Sequence, residues 1–310
     1  MTTATLNQTP DVPALRLKEE TEVRSPLKMA ATRFLQNKLA VSGLLVALFM
    51  AFVALGADFL VPFDPKAQSN VENSSPGYLD EVSGRMHVFG TDDLGRDIQS
   101  RLMFGARVSL AVPIVVEAVV VLVGVPLGLI AGYFGGLIDD LIMRFTDIMF
   151  AFPGLLLVII LVSIFGRSLW TIFIALGVAS WPTMTRLVRG QVLQIKEMDY
   201  VLGARSIGAG SFGLMLRHIV PNILGPVIVL VTLDFPGDII SEATLSFLGL
   251  GVDPSTPTWG TMVSVAYQGI NYYAYETIIP AAAIAILTLA LSFVGDGMRD
   301  AFDPRMSSAK

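Results

Sequence analysis

Leu39–Val61 reads LAVSGLLVALFMAFVALGADFLV, an unbroken apolar run whose only charge, Asp58, stands near its end. About 20 apolar residues are what an α-helix needs to cross a bilayer. Five more such runs follow, at Val108–Gly132, Ile148–Phe165, Leu169–Leu187, Ile223–Leu250 and Ile278–Val294. Trp181-Pro182 interrupts the fourth, and Pro226, Pro236 and three acids interrupt the fifth. Neighbouring helices re-satisfy the backbone groups that proline frees, so neither break removes a span. Composition agrees. Of 310 residues, 53% are hydrophobic and 15% charged, and the mean hydropathy is +0.66. A water-soluble globular domain and a disordered chain are both excluded by that balance. The spacing predicts an all-α, polytopic membrane bundle of six transmembrane helices.

Direction follows from the basic residues. With the N-terminus inside, 15 Lys and Arg fall on inner segments and 6 on outer ones. Both termini are therefore expected in the cytoplasm. The expected organisation is a disordered cytosolic tail over 1–38, a first span over 39–61 and an external segment over 62–107. A five-helix core then covers 108–298, with a cytosolic loop at 188–222, and a short tail fills 299–310. No short apolar stretch near Met1 marks a cleaved signal peptide.

Several chemistries are absent from the sequence. There is no Cys, so no disulfide framework and no thiolate site. His87 and His218 are the only histidines, too far apart for an imidazole cluster. Net charge is −5, which gives no basic footprint for nucleic acid. Gly208-Ala-Gly210-Ser-Phe-Gly213 matches a dinucleotide-binding pattern, but no strand precedes it and the acid that should follow would lie in the membrane. No GxxxxGK(S/T) phosphate-binding loop occurs, since the sequence holds no Gly-Lys pair.

Four features invite a functional reading. Gly124, Gly128 and Gly132 form a smooth strip that suits either a sliding surface or ordinary close helix packing. Asp234, Asp238 and Glu242, four residues apart, share one helical face. Such a stripe cannot face lipid; it lines a water-filled path or lies partly outside the hydrocarbon. Glu117 is a lone acid in the second span, suited to a structural hydrogen bond or to the same path. The loop Glu197–Asn222 (EMDYVLGARSIGAGSFGLMLRHIVPN) predicts two short helices at a bend, Tyr200–Ile207 stopped by Gly208 and Phe212–Val220 ending at Pro221. A projection like this either plugs into a soluble partner or lies on the lipid surface.

FGTDDLGRDIQSRLMFGARVSL at Phe89–Leu110, GYFGG at Gly132–Gly136 with Phe152-Pro153, EATLSFLGLG at Glu242–Gly251, PTWG at Pro257–Gly260 and GDGMRDAFDP at Gly295–Pro304 carry a resemblance. Together they are similar to the permease subunits of binding-protein-dependent ATP-binding-cassette importers, nearest to the C-type permeases of dipeptide and oligopeptide systems. The family's cytosolic pattern is Glu-Ala-Ala, three residues, Gly, nine residues, Ile-x-Leu-Pro. Leu202-Gly203-Ala204, Gly208 and His218-Ile219-Val220-Pro221 stand at its spacing, with Leu202 in place of the Glu.

The resemblance implies a type I importer permease fold in a prokaryotic inner membrane. It further implies that Tyr200, Val201, Leu202, Gly203, Ala204, Arg205, Ser206, Ile207 and Gly208 form the helix that couples to an ATPase. Partners would be a homologous permease chain, two cytosolic ATPase subunits that bind ATP and Mg, and an extracytoplasmic binding protein. The chain would need no cofactor of its own and would catalyse no reaction. Cargo would be dipeptides or oligopeptides, with nickel or glutathione as alternatives; a proton-coupled secondary transporter is the more distant one. Asp234, Asp238 and Glu242 remain candidates for the translocation path.

Overall fold

The computed structural model describes residues 26–303. The expectations for 1–25 and 304–310, including Pro304 of the closing motif, lie outside the described residues. The chain is almost entirely helical, in the order α1 (Pro26–Gln36), α2 (Lys38–Leu55), α3 (Ala57–Leu60), α4 (Ile98–Phe134), α5 (Gly136–Ala151), α6 (Gly154–Phe165), α7 (Leu169–Ile195), α8 (Asp199–Ser206), α9 (Ser211–Leu214), α10 (Val220–Phe247), α11 (Trp259–Ala266) and α12 (Ala274–Phe302). Among the described residues, five helices are long and apolar enough to cross a membrane. A sixth span exists if α5 and α6, bent by 86° at their junction, cross as one.

That bend corrects the straight third span expected over Ile148–Phe165. Phe152, immediately before Pro153, is extended at φ −92°, ψ 132°, because a following proline ring crowds the helical conformation. Other prolines do not break their helices: Pro113 and Pro126 in α4, Pro182 in α7, Pro226 and Pro236 in α10 and Pro280 in α12 all stand inside continuous ones. The interruptions expected in the fourth and fifth spans are therefore absent. Two further boundaries move. The expected disordered tail contains α1, and α4 begins at Ile98, inside the expected external segment.

Contacts set the helix directions. Added Cβ atoms at Gly124, Gly128 and Gly132 would meet Met184, Val188 and Val192 in turn, all at 2.7 Å. The order rises on both helices, so α4 and α7 run parallel, with α5 and α6 making the return. Gly43 abuts the Ala290 carbonyl and Gly297 abuts Ala40, so α2 and α12 run antiparallel. The glycine strip is thus a packing seam in this structure: backbone approaches side chain where no Cβ intervenes. Thr185 adds a hydrogen bond from its hydroxyl to the Gly124 carbonyl at 3.3 Å.

The bundle has two unlike ends. At one, residues 62–97 fold around an antiparallel pair, β1 (Tyr78–Leu79) and β2 (Met86–His87). His87 is buried, stacked on Phe63 at 4.1 Å, and bonded through Nδ1 to Asp97 Oδ1 at 2.8 Å. Asp97 also caps α4, accepting from the Ser100 N–H and hydroxyl at 2.7 Å each. Beside this small module, Asp58 pairs with Arg107 at 2.8 Å. At the other end the first and last described helices, α1 and α12, meet. Ala30 and Phe34 of α1 pack with Ala40 and Ala301, and Arg33 donates to the Asp303 carbonyl at 3.1 Å, just past the C-terminus of α12.

Candidate functional site: a helical hairpin and a buried acid face

The hairpin follows α7 at the end of the bundle remote from the 62–97 module. Asp199 in the first turn of α8 and Arg205 in its last complement the helix dipole. Gly208, at φ +87°, stops it in a conformation that suits glycine. The chain then turns into α9, a π-helical turn over Met215–Ile219, and α10. Pro221 does not end this second piece, as the sequence suggested. It is the second residue of α10, and because α9, the π-helical turn and α10 run on without a break it stands inside the continuous helical stretch that begins at Ser211.

One side of the hairpin is locked to the bundle. Val201, Leu214 and Ile219 are fully buried in the cluster that includes Val188, Val192 and Ile195 of α7. Ala204 packs against the same cluster. Lys196 donates to the Gly132 carbonyl at 3.0 Å, tying the hairpin's base to the end of α4. The other side is bare and apolar: Tyr200, Leu202, Ile207 and Phe212 are exposed, Ile207 by 88%. Gly203, Arg205, Ser206 and Gly208 are also exposed, and a Cβ added at Gly203 would meet nothing within 4 Å.

Asp234, Asp238 and Glu242 do lie along one face of α10, but they are not alike. Asp234 is half-buried, whereas Asp238 and Glu242 are buried within the chain. Glu242 Oε1 accepts from the Ser246 hydroxyl at 2.8 Å and the Thr258 hydroxyl at 3.1 Å. Thr258 is in turn the cap of α11, so Glu242 fastens α10 to the start of that helix. Asp238 Oδ2 and both oxygens of Glu117 are buried without a hydrogen-bond partner. Glu117 of α4 lies within electrostatic reach of Asp234 and Asp238. That grouping of acids across α4 and α10 was not legible in the sequence, where Glu117 stands over a hundred residues away.

The family model described as "Binding-protein-dependent transport system inner membrane component" matches residues 124–308. The chain belongs to this family. Residues 25–77 of the permease also match a model described as "N-terminal TM domain of oligopeptide transport permease C". The permease is 41% identical over 279 residues to the oligopeptide transport system permease protein OppC of Bacillus subtilis (strain 168), covering 90% of each chain. It is 38% identical over 297 residues to the glutathione transport system permease protein GsiD of Pectobacterium atrosepticum, covering 96% of each. The dipeptide transport system permease protein DppC of Bacillus subtilis (strain 168) is 40% identical, covering 88% of this chain and 84% of that one. A solved inward-facing form of the MetNI methionine ABC transporter shares the fold, with TM-score 0.53 at 19% identity, over 65% of this chain and 96% of that chain. The permease is thus a multi-pass membrane protein and a transport subunit, as its motifs implied.

Proposed function

We propose that the permease is a membrane subunit of an ATP-driven peptide importer, and that the hairpin is where a separate ATPase subunit docks. The observation that carries this reading is the hairpin's two-sidedness. Val201, Ala204, Leu214 and Ile219 fix one side to the bundle, while Tyr200, Leu202, Ile207 and Phe212 present an apolar side with nothing upon it. Exposed apolar residues grouped on a rigid projection suit docking into a partner's cleft. Gly203 keeps the middle of that surface flat, which permits close approach. Leu202 supplies apolar contact where the family pattern has a Glu.

ATP and Mg belong to two partner ATPases in this reading, a homologous permease completes the pathway, and a binding protein delivers cargo. The basic-residue count puts the hairpin and both termini in the cytoplasm of a prokaryotic cell. Relatives named for oligopeptide and dipeptide transport favour a peptide cargo. The glutathione permease relative, matched over 96% of both chains, supports a second reading in which the cargo is that modified tripeptide. Asp234 is the candidate for contact with the translocated molecule, because it alone of the three acids is only half-buried. Asp238 and Glu242 would set the inner wall behind it.

Gly203→Trp tests the docking surface. The new side chain enters open space in this chain, so the bundle should keep its helix content and thermal unfolding while the co-purified ATPase is lost. Full ATPase retention with normal uptake in Gly203→Trp would refute the docking assignment. Uptake of labelled di-, tri- and oligopeptides against glutathione, in vesicles holding the whole importer, separates the two cargo readings.

A further inference from the structure

At the end of the bundle that carries the 62–97 module, a cleft opens between the Asp92–Arg96 turn, α11 and the first turn of α12. It encloses about 20 Å³, room for one water-sized group. Its polar wall is Asp92, Asp93, Arg96, Arg101 and Glu276.

The two arginines are already engaged. Arg96 Nε donates to Asp92 Oδ2 at 2.7 Å. Arg101 donates to the Pro65 carbonyl at 3.2 Å and the Pro254 carbonyl at 3.0 Å, and its Nε stands 3.4 Å from Asp92 Oδ2. Asp92 Oδ1 accepts from the Leu94 and Arg96 N–H groups at 3.0 and 2.9 Å. Asp92 is therefore fully used.

Asp93 and Glu276 are less fully used, although Tyr275 hydrogen-bonds to the Glu276 carboxyl. The nearest cation to Asp93 is Arg96, at 3.6 Å, beyond a good hydrogen bond. Burial and the neighbouring Asp92 push the Asp93 carboxyl above its ordinary value. Glu276 is 5% exposed, and its Oε1 is buried with no hydrogen-bond partner. A buried carboxylate oxygen without a donor is a group whose partner has yet to arrive. The opposite wall is apolar, formed by Met262, Val265 and Ala266 of α11.

We propose that this cleft receives one primary ammonium group, accepted by Glu276 and Asp93, with the attached alkyl stem lying on the α11 wall. An ammonium is a compact charge with three donors and fits a water-sized space; a guanidinium is a wider, planar fork. Among the described residues no three His, Cys, Asp or Glu side chains are grouped to hold a metal ion, which again favours an organic cation. The group has two natural sources, the amino terminus of a peptide or a lysine side chain on a protein docked at this end. Binding is read on the permease alone, so failure here leaves the import reading to its own test.

The test uses the full chain in nanodiscs of phosphatidylcholine, with n-butylammonium as probe and n-butanol as its neutral counterpart, followed by ligand-observed NMR titration. Butylammonium should bind in preference to butanol, and its affinity should fall at least tenfold in Glu276→Gln and severalfold in Asp93→Asn. Asp64→Asn, an exposed acid outside the cleft, should leave it unchanged. Displacement by Ala-Ala but not by N-acetyl-Ala-Ala supports the peptide source; displacement by Nα-acetyl-lysine amide supports the side-chain source. No preference for the cation, or equal affinity in wild type and both variants, would overturn the proposal. Should Glu276→Gln fail to fold, Asp93→Asn decides alone, because its half-exposed side chain can be changed without disturbing the bundle.

Discussion

Gly128→Ala is the sharpest probe of the seam between α4 and α7. The added Cβ would stand 2.7 Å from the Thr185 carbonyl oxygen and from Val188 Cβ, and 2.9 Å from Val188 Cγ1, where ordinary contact begins at 3.4 Å. Carbonyl and Cβ are parts of the neighbouring helix that no side-chain rotation can move. The two helices must therefore part by about 0.7 Å, the shortfall between those distances. Parting them there also loosens the close approaches at Gly124 and Gly132. Overpacking of this kind costs about 1–3 kcal/mol. Ala is the better helix former by about 0.5–1 kcal/mol, which offsets part of the loss. Gly190→Ala, in α7, supplies the reference, because its Cβ would meet nothing within 4 Å and only the propensity gain remains. The assay is equilibrium unfolding of the purified chain in mixed micelles, read by circular dichroism. Gly128→Ala should unfold more readily than Gly190→Ala by about 1–3 kcal/mol. Equal stabilities would show that the seam tolerates a methyl group and would refute the packing argument.

Topology is checked by single cysteines placed in the cysteine-free chain. One at exposed Ser83 should react in intact cells with an impermeant thiol reagent added outside, and one at exposed Ser211 should not. The reverse pattern would invert the orientation drawn from the basic residues. His87→Ala removes the hydrogen bond to Asp97 and the stack on Phe63. Amide hydrogens of residues 71–97 should then exchange faster, through a local loss of about 1–3 kcal/mol, while those of α7 keep their rates. Unchanged exchange in 71–97 would mean that the buried pair does not hold the module together.

Hydropathy located the five long helices but not the bent α5–α6 pair, because a chain in lipid has to close its hydrogen bonds within each segment and so declares its helices as apolar runs. Gly208 as the stop of α8 was equally legible, since the left-handed turn is a local demand. Proline was a poor guide. Prolines sit inside α4, α7, α10 and α12 without breaking them, whereas Pro153 stands at a sharp bend, where α6 begins after extended Phe152. Which of these outcomes a proline produces depends on the neighbours that take up the freed carbonyl, and those are tertiary. The same limit hid the acids. Glu117 with Asp234 and Asp238, and Asp93 with Glu276, are brought together by helix packing across more than a hundred residues of chain. The His87–Asp97 bond, although local in sequence, depends on a fold of the 62–97 module that no periodic pattern announces.

From Ser211 through the π-helical turn to Phe247, the hairpin's second arm and the acid-bearing span are one helical rod of 37 residues. At a rise of about 1.5 Å per residue such a rod is some 55 Å long. A tilt of about 10° at one end therefore sweeps the other by nearly 10 Å, several times the diameter of a water molecule. On the docking reading proposed above, a push on the hairpin at Phe212 would be carried toward Asp234 along a single element.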